Sequence, residues 1–321
     1  VAILQASKVI KRKSNGDGFF SYFTAISAVL ILALTGSIFM VVFLGARPAL
    51  EAFGLGFLFS AVWDPVRDLY GALPVIVGTV VTSLLAIAIA MPLGVATAIF
   101  LTELAPSWIR KPASFVVELL AAIPSVVYGL WGLFVLVPWI RTGPGLFLEN
   151  NLGFLPFFQG PSLGVGVLAA SLVLAMMVLP TIAAISREIM RAIPVDFREA
   201  IYALGSTRWE MIVKVVLPMS KVGIMGATLL GLGRAIGEAM AVTMVIGNAN
   251  LIPTSILSPA QTVASLIVNE FPEAFDLRLS ALLLLGLLLF TITFLVNVAA
   301  IWLVNWTSHS IKRHGGAANG K

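Results

Sequence analysis

Six apolar stretches, each long enough to cross a bilayer as an α-helix, leave few folds open to this sequence. They lie at residues 22–45, 73–101, 113–137, 164–186, 221–247 and 279–306, and about 20 residues suffice for a crossing. Lipid offers no water to pair backbone N–H and C=O groups, so segments this long and continuous become helices. A transmembrane β-barrel would instead alternate in segments of about ten residues, and no such alternation dominates. Of the 321 residues, 59% are hydrophobic and 11% charged, against about a quarter charged in a soluble domain. The expected fold class is all-α: a polytopic membrane protein of six transmembrane helices with both termini on one side.

The basic residues set the orientation. Four (Lys8, Lys11, Arg12, Lys13) precede the first span, Arg110 and Lys111 separate spans two and three, and three (Lys312, Arg313, Lys321) lie in the tail. Arg187, Arg191, Arg198, Arg208, Lys214 and Lys221 separate spans four and five. The opposite side holds only Arg47, Arg67, Arg141 and Arg278. By the positive-inside rule both termini are cytoplasmic, and the formal charge of +5 reflects topology rather than nucleic-acid binding. The first span is too long for a signal-peptide h-region and has no small-residue cleavage site, so it reads as an uncleaved anchor. The outer segments 46–72, 138–163 and 248–278, with Trp63, Trp139 and several prolines, read as short surface helices that dock a partner or anchor at the interface.

No cysteine is present, which removes disulfides and thiolate chemistry. The two histidines, His309 and His314, are in the polar tail, so no histidine metal site is expected inside the membrane.

Between spans four and five, residues 194–218 read as two short helices joined at Gly205. Asp196 is placed to cap the first, on which Phe197, Ala200, Ile201 and Leu204 follow the i, i+3, i+4, i+7 spacing of one apolar face. Gly205 supplies the left-handed terminator, and Thr207 with Glu210 has the spacing of a capping box. The apolar face needs a cover, from this chain or from a cytoplasmic protein. A hairpin tethered at both ends to the bilayer is poorly placed to enter a DNA groove.

This segment resembles the EAA loop of ABC-importer permeases: Glu199-Ala200-Ile201, then Gly205, then nine residues to Val215, then Leu217-Pro218. Ile201 and Val215 depart from the family's Ala and Ile, both as apolar swaps. The resemblance implies a type I ABC-importer permease fold. It also implies that residues 196–206 form a coupling helix seated on an ATPase subunit, with Phe197, Glu199, Ala200, Leu204 and Gly205 as the coupling residues. Further stretches resemble phosphate-importer permeases of the PstC type: Gly16-Asp17, Phe53 to Phe57, Trp63-Asp-Pro65, Tyr70 to Pro74, Glu118 to Leu133 and Gly231 to Thr243. The partners so implied are a second permease (PstA-like), an ATPase dimer (PstB-like) and a periplasmic phosphate-binding protein (PstS-like), in the bacterial inner membrane.

Arg234 is the one basic residue that topology does not explain. It lies 13 residues beyond Lys221, about 20 Å along a helix and so near the bilayer centre. An arginine there costs at least about 2.5 kcal/mol by insertion scales and usually faces a pathway or a partner. Glu238, at i+4, is expected on the same face, where it either neutralises Arg234 structurally or holds the guanidinium fork until an oxyanion arrives. A carboxylate can also accept the proton-bearing oxygen of hydrogen phosphate, which sulfate lacks. Gly233 and Gly237 form a GxxxG step suited to close helix approach. In span three, Pro124 frees a backbone carbonyl beside Ser125, and Ser125 and Tyr128 complete the candidate path. Glu118 reads as snorkelling to the cytoplasmic interface.

The only G-x-x-x-x-G-K match, Gly315 to Lys321, lacks the Ser/Thr, strand and helix of a nucleotide loop. The chain is therefore expected to carry no cofactor and to be a transport subunit rather than an enzyme, with ATP and Mg²⁺ held by the partner ATPase. The expected organisation is a cytoplasmic segment (1–21), a first span with periplasmic segment (22–72), a permease domain (73–306, coupling loop 187–220) and a cytoplasmic tail (307–321). The alternatives are a sulfate or molybdate permease and, more remotely, an ion-gradient-driven transporter, for which the capped hairpin has no use. A membrane enzyme lacks a nucleophile and base set.

Overall fold

The computed structural model of the chain describes residues 15–316, with side chains over 20–299, 301 and 302. The basic residues Lys8, Lys11, Arg12, Lys13, Lys312, Arg313 and Lys321, the Gly16-Asp17 pair, both histidines and the Gly315–Lys321 match lie outside the residues whose side chains are described. Six helices are long and apolar enough to span a membrane: Phe20–Phe53, Leu73–Leu104, Ser125–Leu152, Val167–Arg191, Arg208–Gly237 and Asp276–Ala299. Among the described residues no sheet forms, only two isolated bridges.

Two spans differ from the sequence expectation, each at a break. The stretch 113–137 divides into the helix Ser107–Ala122 and a new helix from Ser125. Ile123 is extended (ψ 129°) and Pro124 follows at ψ 140°, because the proline ring drives the preceding residue out of the helical region. Pro124 thus ends a helix instead of removing a single hydrogen bond within one. Span five begins earlier, at Arg208, and stops at Gly237. Glu238 is extended (ψ 122°), and a separate short helix runs from Met240 to Val245.

Other prolines are absorbed without a break. Widened π-turns at Gly132–Leu136 and Ile212–Val216 each end two residues before a proline, Pro138 and Pro218, and the helix continues. Proline brings no N–H and clashes with the carbonyl four residues back; the i→i+5 turn relieves the clash and keeps carbonyls paired inside the bilayer.

Span four is the centre of the bundle. In its most apolar window 61% of residues are buried, against 28% or fewer in every other span. Spans two and five pack on it through small residues. A Cβ added at Gly94 would meet Ile182 at 3.0 Å, at Gly231 Val178 at 2.6 Å, and at Gly223 Ile189 at 2.6 Å. Close approach of this kind drives helix association in lipid, where apolar burial alone gives no net gain. Span one sits outside, against span six, with Phe39 on Phe290 at 5.4 Å.

The end of the bundle where residues 57–79 meet residues 260–278 is fastened by polar contacts. Trp63 Nε1 donates to both oxygens of Glu270 at 3.0 Å, and the Arg278 guanidinium binds the same carboxylate at 2.9 Å. Trp63 therefore turns inward instead of serving as an interfacial anchor, whereas Trp139 stays exposed. Burial and a hydrogen bond to Asp68 push the Tyr70 hydroxyl up to about 12, so it stays protonated beside Trp63. Thr79 Oγ1 accepts from Val263 N at 2.9 Å, and the Gln261 carbonyl lies against Gly78 where a side chain would begin. Gly78→Ala is accordingly expected to destabilise the protein by about 1–3 kcal/mol. Gly226→Ala, whose added Cβ meets no atom within 4 Å, is expected to be silent. Thermal unfolding in detergent compares the two.

Candidate functional site

Arg234 occupies the last turn of span five. The unpaired carbonyls of a helix C-terminus carry partial negative charge that favours a cation there. Its Nη1 donates to Thr181 Oγ1 in span four at 3.1 Å, and its side chain is otherwise exposed. Among the described residues no carboxylate forms an ion pair with Arg234. The expected pairing with Glu238 on one helical face is overturned, because the helix ends between them. Glu238 turns forward, and its Oε1 accepts from Ala241 N at 3.2 Å at the start of the next short helix. Its Oε2 has no hydrogen-bond partner among the described residues.

The second break lies beside the first. The helix from Ser125 packs on Met240–Val245. Gly129 makes that approach possible: a Cβ there would lie 2.7 Å from Met244 Sδ and 3.0 Å from Ala241 Cα. Tyr128 bridges its own break, donating from its hydroxyl to Leu120 O at 2.9 Å, and it lies within electrostatic range of Arg234. Ser125 is partly buried at the start of the same helix. Arg234, Glu238, Ser125 and Tyr128 therefore all stand on two adjacent interrupted helices. Interrupted backbone at membrane depth is tolerated where it lines a cavity or is covered by protein.

Two polar residues here escaped the sequence reading. Thr181 holds Arg234 from span four; its only signal was a hydroxyl directly after Pro180 in an apolar run. Asn297 of span six approaches the site next to Gly233, whose added Cβ would lie 3.9 Å from Asn297 Oδ1. Glu118 has a partner that the sequence did not reveal: more than half exposed, it accepts from the buried Arg187 at 2.8 Å.

On the hairpin between spans four and five, the first helix runs Val195–Ala203, Gly205 takes φ 80°, and Thr207 and Glu210 form the expected capping box. Asp196 makes no capping bond, since Pro194 holds the N-cap position. The apolar face is divided. Ile201 turns inward onto Met190, Ile193, Met211 and Ile212, while Phe197 is 51% and Leu204 82% exposed. Glu199 and Ala200 are exposed beside them. Among the described residues nothing covers Phe197 and Leu204.

A six-span bundle built around one central helix, with two adjacent interrupted helices and an exposed helix between spans four and five, has the fold of an ABC-importer permease. It aligns with the alginate ABC transporter (TM-score 0.56, 15% identity, 93% of this chain and 96% of that one) and with an inward-facing MetNI methionine ABC transporter (TM-score 0.53, 18% identity, 77% and 99%). The chain belongs to the family of binding-protein-dependent transport system inner membrane components, whose model matches residues 90–312, and within it to the PstC permeases. It is 45% identical over 300 residues to the phosphate transport system permease protein PstC of Mesorhizobium japonicum (92% of each chain). To that of Xylella fastidiosa it is 47% identical over 294 residues (90% of each). The chain is thus a multi-pass inner-membrane transport subunit, not an enzyme, and works with an ATPase and a substrate-binding protein.

Proposed function

We propose that this chain forms one half of the membrane path of an ATP-driven importer of inorganic phosphate, with alternating access around Arg234. The observation that carries the reading is a guanidinium at the broken end of span five, held among the described residues by one hydroxyl and by no carboxylate. Such a group keeps most of its donors for an oxyanion, and its planar fork matches two phosphate oxygens. The names of the relatives at 45% and 47% identity support phosphate as that oxyanion.

In this reading both termini are cytoplasmic, and the Val195–Ala203 helix seats on a PstB-like ATPase dimer that binds ATP and Mg²⁺. A PstA-like permease supplies the other half of the path, and a PstS-like protein delivers phosphate from the periplasm. ATP-driven uptake of labelled phosphate against sulfate, in vesicles holding the assembled complex, tests it. Uptake of sulfate in preference to phosphate would replace the substrate, and uptake independent of ATP would sink the importer reading.

Glu238 adds selectivity in this scheme, because Oε2 can accept a hydrogen bond donated by the P–OH group of hydrogen phosphate. Glu238→Gln is expected to lower phosphate uptake and narrow its margin over sulfate by about tenfold, the worth of one charge-assisted hydrogen bond. Unchanged uptake and unchanged discrimination would remove Glu238 from the path.

A further inference from the structure

Arg198, like Ile201 on the same Val195–Ala203 helix, faces the membrane domain rather than the solvent, and it does so with a charge. Its Nη2 binds Glu103 Oε1 at 3.0 Å and donates to Met190 O at 2.8 Å, while Nη1 donates to Ile193 O at 2.6 Å. Glu103 lies in the π-turn Phe100–Leu104 that ends span two, and Met190 and Ile193 flank the end of span four. One guanidinium thus fastens the hairpin to two spans at once. It donates to two carbonyls at the end of span four and neutralises a nearly buried carboxylate. The two side chains are only 16% and 8% exposed, so removing either strands the other without compensation.

Span four also carries Thr181, the partner of Arg234, nine residues from Met190. That is about 14 Å along one uninterrupted helix. The coupling helix and the oxyanion-binding arginine are therefore held by the same central helix, one at each end of this interval.

We propose that Arg198, through Glu103 and the carbonyls of Met190 and Ile193, is the positioning residue that converts movement of the coupling helix on the ATPase into displacement of spans two and four around the transport path. The role differs from that of Phe197 and Leu204, which face outward. Arg198 acts within the chain, downstream of docking. The inference rests on the importer reading above.

The test is the number of phosphates taken up per ATP hydrolysed by the reconstituted complex, for the wild type, Glu103→Gln, Arg198→Lys and the double variant. Each single variant is expected to retain the ATPase subunit and to lower the ratio about tenfold, and the double variant to be no worse than either, as for two groups acting as a unit. Uptake and hydrolysis falling in proportion, with the ratio at its wild-type value, would overturn the proposal, as would additive losses. If Arg198→Lys does not assemble, Glu103→Gln, which keeps the volume and one acceptor oxygen, decides alone. Failure of the phosphate reading is recognised separately, as absence of ATP-driven phosphate uptake in the wild type. Stimulation of ATP hydrolysis by the cognate binding protein, expected to be lost in Glu103→Gln and overturning the proposal if retained, then decides the linkage without reference to phosphate.

Discussion

Arg234→Lys is expected to reduce phosphate uptake on the order of a hundredfold while leaving assembly with the ATPase intact. Lysine keeps the charge but loses the planar fork, and hydrogen bonds between charged groups are worth about 1.5–3 kcal/mol each. Losing about 2.7 kcal/mol corresponds to a hundredfold. Assembly is spared because the side chain is exposed and, among the described residues, bonds only to Thr181. Thr181→Val serves as the graded control. It leaves the guanidinium in place but untethered, and one ordinary hydrogen bond of about 1 kcal/mol predicts a loss of a few-fold. Uptake of labelled phosphate over a range of concentrations, normalised to assembled complex, gives both values. Full activity in Arg234→Lys would reduce Arg234 to a structural ion.

The second large effect is expected at the hairpin between spans four and five. Phe197→Asp and Leu204→Asp should each release the ATPase subunit while the permease stays folded, measured by co-purification from the membrane. Covering a leucine or phenylalanine that is now exposed contributes about 1.5–3 kcal/mol. An unpaired carboxylate in the same place costs more, so association should weaken at least on the order of a hundredfold. Ile201→Asp is the contrasting case. Its side chain belongs to the permease's own core with Met190 and Ile212, so that variant should lose folded permease, and the ATPase with it. Retention of the ATPase by both Phe197→Asp and Leu204→Asp would dismiss this helix as the docking surface.

These contrasts trace what was legible in the residues. The hairpin's ends were readable because caps are local: Gly205 and the Thr207–Glu210 box act within a few residues of themselves. The sidedness of the first hairpin helix was not, because a stripe of apolar residues does not say which members meet the chain's own core. Pro124 and Glu238 show the same limit inside the membrane. Periodicity continued across both positions, yet each is extended, and the Arg234–Glu238 pairing inferred from an i+4 spacing failed with the helix it assumed.

The length of the apolar runs, set by bilayer thickness and by backbone groups that must be paired in lipid, determined by itself that the chain crosses six times. The isolated charge at Arg234 likewise singled out a candidate for the transport path, since an arginine within an apolar span needs a reason. Only tertiary packing decided the partners. Thr181 for Arg234, Arg187 for Glu118 and Arg198 for Glu103 join residues 53, 69 and 95 positions apart. Their meeting depends on how helices built of small residues settle against span four, and no local pattern encodes that.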